Sequence, residues 1–205
     1  MTTTTTGENS NSPLTGEVLD YIDLKRQEIL NIALGELGWQ SKGSPQVLRY
    51  WLGVAVLGFD DRPISAEQKV GCANNADWCG IFAFWCWTQA RITAISSGLS
   101  ANSQELVWRL GRGLRFHTRP LSALETRSLK THPAGPDMGD IVVVKKYWHH
   151  AIVKNINRDE NLTPILHTVD GNQPGAALRS RPLDSLYHWY PVAPLILTGM
   201  GLGGA

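Results

Sequence analysis

A chain of 205 residues, 42% hydrophobic and 18% charged, has the material for one domain with a proper core and is short for two. A formal net charge of +1, with the widest basic cluster scattered over Arg109, Arg112, Arg115 and Arg119, argues against nucleic acid as the main partner. No apolar run reaches the ~18 residues of a membrane span, and the leader from Met1 to Pro13 lacks the basic and apolar regions of a secretory signal.

The leader, residues 1–16, is rich in Thr, Ser and Asn and is expected to be disordered. Residues 17–37 place Val18, Tyr21, Ile22, Ile29, Ile32 and Ala33 at helical spacing before Gly38. A second helix is expected over 45–57, with Pro45 in its first turn. Residues 58–76 read as a long loop, through Gly58, Asp60, Asp61, Pro63 and the Gly71–Asn75 stretch. Trp78 to about Ala90 is apolar nearly all round, which marks a central buried helix. A short helix is expected over 103–111.

After Gly139 the period changes from helix to strand. Asp140–Val144, His150–Val153 and Ile165–Val169 are β-rich runs, and a fourth strand is expected over 192–197. Helices followed by an antiparallel meander give an α+β fold class, with one domain over 17–198 and a flexible glycine-rich tail over 199–205.

Cys72, Cys79 and Cys86 are spaced seven apart, which fits no common zinc pattern; no metal and no cofactor is expected. Cys79 and Cys86 would lie about 10 Å apart along one helix, too far to bridge. A disulfide from Cys72 to Cys79 would silence the most interesting thiol, so all three are expected to be reduced.

That thiol stands in Asp77-Trp78-Cys79-Gly80, at the start of the central helix, with Asp77 as an acidic cap candidate. A cysteine in an apolar helix is ordinarily a small hydrophobe. One in the first turn, however, feels the positive end of the helix dipole, which favours the thiolate, the form that attacks a carbonyl. Cys72 and Cys86 lack this setting. About 70 residues on, His149 and His150 enter a strand, where alternation sends them to opposite faces, so one of them can meet the thiolate. Asp170 and Asn172, around a Gly171 turn, are candidates to orient the imidazole, with His167 as a third. The same residues would also make an ordinary turn. Of the eight tryptophans, Trp85 and Trp87 read as core, whereas Trp78 beside the thiol and Trp148 beside His149 are candidates to wall a substrate groove.

Four segments together resemble the CHAP and NlpC-type branch of the papain-like cysteine amidases and peptidases. They are Asp77-Trp78-Cys79-Gly80-Ile81-Phe82, Met138-Gly139-Asp140-Ile141-Val142-Val143, His149-His150-Ala151-Ile152-Val153 and Asp170-Gly171-Asn172-Gln173. The helix ending at Gly38 is also similar, and the likeness covers about residues 25–197. The segment 91–136 is longer than the minimal family core, which leaves room for altered specificity.

The resemblance implies a papain-like fold with the nucleophile helix packed on the sheet, and a hydrolase that cuts an amide bond in bacterial peptidoglycan. The bond would lie within the stem peptide or between muramic acid and L-alanine. The family's histidine register implies that His149 is the base and His150 the variable residue beside it. Asn172 is placed first as orienter, with Asp170 behind it. Asn74 or Asn75 would add an oxyanion donor to the helix N–H groups.

Without a secretory signal or a wall-binding repeat, the expected setting is an antibacterial effector. It would be delivered by a contractile secretion machine, such as a type VI system, into the periplasm of a target bacterium. The expected partners are peptidoglycan and a cognate immunity protein, with no nucleic acid and no membrane, and a monomer when free. A phage endolysin, a host-directed protease or deamidase, and a non-catalytic wall-binding domain are the alternatives.

Overall fold

The computed structural model describes residues 14–92, 94–95, 104–116, 126–145, 148–172 and 175–200. Most of the expected leader and the end of the expected tail therefore lie outside the described residues. Helix α1 (Gly16–Gly35) buries Ile22, Ile29, Leu30 and Ala33 along one stripe. Helix α2 (Pro45–Leu52) begins with proline where no N–H partner is needed, and the Ser44 hydroxyl accepts the Val47 N–H at 3.3 Å. It stops at Gly53, short of the expected end at 57, and Val56–Leu57 forms a two-residue strand, β1.

The expected loop over 58–76 is corrected in its second half, where helix α3 spans Ala66–Asn75. Ser65 and Gln68 form a reciprocal capping box, with each side chain bonded to the other's backbone N–H. Helix α4 (Cys79–Gln89) buries every residue from Gly80 to Trp87, as its all-round apolar sequence requires. It packs between α1, α2 and the large sheet, where the Trp87 indole N–H donates to the Gly139 carbonyl at 2.8 Å.

The short helix expected over 103–111 is also corrected. Gln104–Arg109 is a strand, β3, which pairs parallel with β1 and antiparallel with β2 (Ala94–Ile95) and β4 (Gly113–Phe116). Pairing on both edges overrides a local preference that the sequence leaves weak.

The large sheet is antiparallel, with five strands in the order β8-β7-β6-β5-β9. These are β5 (Ile141–Val144), β6 (His149–Arg158), β7 (Pro164–Asp170), β8 (Ala177–Pro182) and β9 (Leu186–Tyr190). Alternation divides its side chains between two cores. Ile141, Val143, Ile152 and Val169 face the helices, while Val142, Ala151, Val153 and Leu166 pack with Leu183 and Trp189 on the far side.

The fourth strand expected over 192–197 is instead helix α5 (Ala193–Gly199), whose Pro194 suits a first helical turn. Strand β8 has no apolar alternation and is largely exposed, so the sequence pattern does not mark it. Helices and mostly antiparallel sheets thus make a mixed α+β structure. Among the described residues no helix is long and apolar enough to cross a membrane.

Candidate active site

Cys79 is the first helical residue of α4. Asp77 does not cap this helix: the N-cap is Trp78, and it provides no side-chain bond. The Asp77 carboxylate points away, accepting the Asn172 side-chain N–H at 3.0 Å and pairing with Lys42 at 3.1 Å. The first turn of α4 therefore keeps its backbone N–H groups for whatever approaches the thiol.

His149, the first residue of β6, is buried, and its Nε2 lies 2.8 Å from Oδ2 of Asp170, the last residue of β7. The register explains the meeting. Ala151 is directly opposite Asp170, so His149, two residues earlier, shares its face as a diagonal neighbour. The carboxylate is itself held by two donors on the same face, the Thr168 hydroxyl on Oδ1 and the Arg181 guanidinium on Oδ2. Burial works against ionisation of Asp170. The bond to His149 and the Arg181 charge outweigh it and hold the carboxyl below its usual range.

Since an ionised carboxylate only accepts, Nε2 of His149 carries the hydrogen toward Asp170 and Nδ1 is the nitrogen left for the thiol. Burial alone would raise the Cys79 pKa. Hydrogen bonds to His149 and then His150, with their charge, bring it down to about 6. Burial likewise opposes protonation of His149, but its bonds to Asp170 and Cys79 lift it to about 9. Between those values the pair exists as thiolate and imidazolium, the reactive form of such a couple. The other two thiols behave oppositely: burial pushes Cys72 up and Cys86 well up. All three cysteines are free.

Several expected residues fall elsewhere. Asn172, placed first as orienter, sits in the left-handed region at φ 63 and turns its amide to Asp77, so Asp170 takes the place beside His149. Strand alternation ends with β7 at Asp170, so residue 172 does not continue the face of residue 170. His167 bonds to Ser180 at 2.8 Å. Trp78 walls no groove: at 1% exposure it belongs to the core, against Tyr50 and Phe82. Gly171 lies directly over it, since a Cβ there would come within 2.9 Å of both the Trp78 ring and Phe82. Asn75 donates to the Gly71 carbonyl at 2.9 Å, and Asn74 lies against Gly43, so neither is an oxyanion donor here. Trp148 is 64% exposed and stands edge-on to Tyr187, with ring centroids 5.0 Å apart.

His150 departs from the expectation that only one histidine meets the thiol. Its ring, like that of His149, lowers the Cys79 pKa, and it packs edge-on to Trp108 at 5.0 Å between centroids. Trp108 comes from the long 91–136 segment and reaches the nucleophile because residue 80 is glycine. A Cβ at Gly80 would lie 2.0 Å from its ring. Beside the thiol, a cleft of about 560 Å³ opens between β3–β4 and the ends of β5, β6 and β9.

Arg181, Thr168 and Trp108 are site residues that carry no direct sequence signal. Arg181 lies on the unpatterned edge strand, Thr168 reads as a buried strand residue, and Trp108 falls in a segment whose pattern predicts a helix. Among the described residues no cluster of three or more His, Cys, Asp or Glu is arranged to hold a metal ion. The chain matches no protein-family model, no curated protein and no solved structure.

Proposed function

We propose that this chain is a papain-like cysteine hydrolase that cleaves an amide bond of bacterial peptidoglycan. The single observation that carries the hydrolase reading is the convergence of Cys79, His149 and Asp170 from α4, β6 and β7, with the His149–Asp170 bond at 2.8 Å. Their chain order and local motifs support the papain-like assignment. The wall substrate rests on the resemblance of the four motif segments.

The thiolate of Cys79 attacks the amide carbonyl, and the electron pair moves onto the carbonyl oxygen. The N–H groups opening α4 hold that oxyanion; one such donor contributes roughly 3–4 kcal/mol in comparable sites. Collapse breaks the C–N bond, and the imidazolium of His149 gives its proton to the departing amine. A water then loses a proton to His149 and attacks the thioester, releasing the carboxylic acid and regenerating the thiolate. Asp170 keeps His149 oriented throughout and stabilises its charged form.

In this reading the protein is an antibacterial effector acting in the target's periplasm, with an immunity protein in the producer. The test is digestion of purified peptidoglycan with the wild type and with Cys79→Ala, with new ends identified by mass spectrometry. Soluble fragments from the wild type alone are expected; intact wall with both proteins overturns the proposal.

A further inference from the structure

The cleft beside the nucleophile has a lining that bears on which amide bond is cut. Its walls are the rings of Trp108, Trp148 and Tyr190, and its floor carries His150 and His188, with Arg112 exposed at the rim. His150 and His188 flank Val143 on adjacent strands, since Val143 pairs with both, and all three share the helix-facing side of the sheet. The volume, about 560 Å³, is in the range of roughly 300–1,000 Å³ usual for small-molecule sites.

The exposed aromatics of this region gather at the cleft mouth. Phe59, 74% exposed, abuts Gly111 on the rim, and Tyr187, 52% exposed, is edge-on to Trp148. Large exposed rings grouped around one concavity signal a binding surface.

Burial and the neighbouring His150 push His188 down to about 4, so it is uncharged at neutral pH. Its Nε2 is buried and, among the described residues, has no hydrogen-bond partner. Such an atom is costly unless a ligand satisfies it.

A stem peptide is a poor match for this lining. Its residues are small and have no flat face to lay on the rings, and Arg112 at the rim would pair with one carboxylate at most. An N-acetylated pyranose matches better. It presents a flat face of C–H groups to an aromatic ring, and hydroxyl and amide groups to a neutral imidazole.

We propose that this cleft is a subsite for an N-acetylated amino sugar on the acyl side of the scissile bond, so that the enzyme cuts between muramic acid and L-alanine. This rests on the hydrolase reading above. The thiolate would attack the lactyl carbonyl of the sugar. The resulting thioester holds the glycan, the amine of L-alanine leaves with the proton from His149, and water returns the lactyl carboxylic acid.

The test has two arms. In the first, full-length Cys79→Ala protein is titrated, by tryptophan fluorescence and calorimetry, with the peptide-free disaccharide of N-acetylglucosamine and N-acetylmuramic acid, and separately with the free stem tetrapeptide. The disaccharide should bind and the tetrapeptide should not. Trp148→Ala in the same background should weaken the disaccharide about tenfold, and Trp148→Phe should restore most of it. Trp148 is exposed, so neither change should affect folding, which a thermal melt checks. Binding of the tetrapeptide alone, or disaccharide affinity indifferent to Trp148→Ala, overturns the subsite.

In the second arm the wild type digests purified wall. New N-terminal L-alanine is expected. New ends within the stem overturn the subsite while leaving the hydrolase reading standing. Disaccharide binding through Trp148 with an untouched wall supports the sugar site and overturns the hydrolase.

Discussion

Asn172 and Asp77 are joined by a 3.0 Å hydrogen bond that ties the turn after β7 to the residue two before the nucleophile. The strand carrying Asp170 and the loop carrying Cys79 are thereby fastened together, and Lys42 braces the same carboxylate from α2's approach at 3.1 Å. Asn172 thus holds the frame of the site, while Asp170 holds the histidine.

Those two places make opposite demands on substitution. Asp170→Asn removes the charge that sustains imidazolium and leaves the half-buried Arg181 without its partner. The turnover should fall by about 10⁴-fold, as when an orienting carboxylate becomes an amide in a catalytic triad. Asn172→Ala loses one exposed hydrogen bond and should cost less than about tenfold in rate and about 1 kcal/mol in stability. Steady-state kinetics on both variants decide it, and a larger loss at 172 than at 170 would return the orienting role to Asn172.

Cys79 should be the only thiol that matters for turnover. Its pKa of about 6 leaves it ionised at neutral pH, whereas burial raises the other two. Iodoacetamide should label Cys79 first, and Cys79→Ala should abolish hydrolysis with an unchanged circular dichroism spectrum. Peptide mapping that finds Cys72 labelled ahead of Cys79 would contradict this assignment.

The pH dependence follows from the sign of each shift. The Cys79 pKa is depressed, so the active thiolate is lost as pH falls through about 6; that of His149 is raised, so its proton is lost as pH rises through about 9. The profile of kcat/KM should therefore be a bell with limbs near those values, belonging to the coupled pair. In Asp170→Asn the basic limb should move down. A basic limb unmoved by that change would mean Asp170 does not sustain the imidazolium.

His149→Ala should cost several orders of magnitude in turnover, as removal of a triad base does. His150→Ala should cost much less, because among the described residues no carboxylate holds His150 as Asp170 holds His149, although its ring too lowers the thiol's pKa. Part of the His150 effect should appear in KM, since its ring forms the cleft floor. The reverse order of losses in kcat would shift the base one residue along.

Gly80→Ala places a methyl 2.0 Å from the Trp108 ring and has to displace it. Overpacking of this kind costs about 1–3 kcal/mol. Chemical denaturation should show that loss, and Trp108→Leu in the same chain should recover part of it. An unchanged midpoint for Gly80→Ala would mean the ring does not rest there.

Local patterning determined a good deal on its own. An apolar run with a cysteine at its head could only be a buried helix with that thiol in its first turn, because its periodicity leaves no polar face. Strand alternation put His149 and His150 on opposite faces but did not foretell that both act on the thiol, and the motif order named the three segments that converge. Even the missed helix α3 was written in Ser65 and Gln68 as a capping box. Tertiary structure decided what alternation could not reach. The end of β7 at Asp170 chose between the two orienters, an edge strand without apolar pattern supplied Arg181, and pairing of β3 with β1 and β4 brought Trp108 over Gly80. These are contacts between residues far apart in the chain, set by register and by the absence of a Cβ, and no short window of sequence carries them.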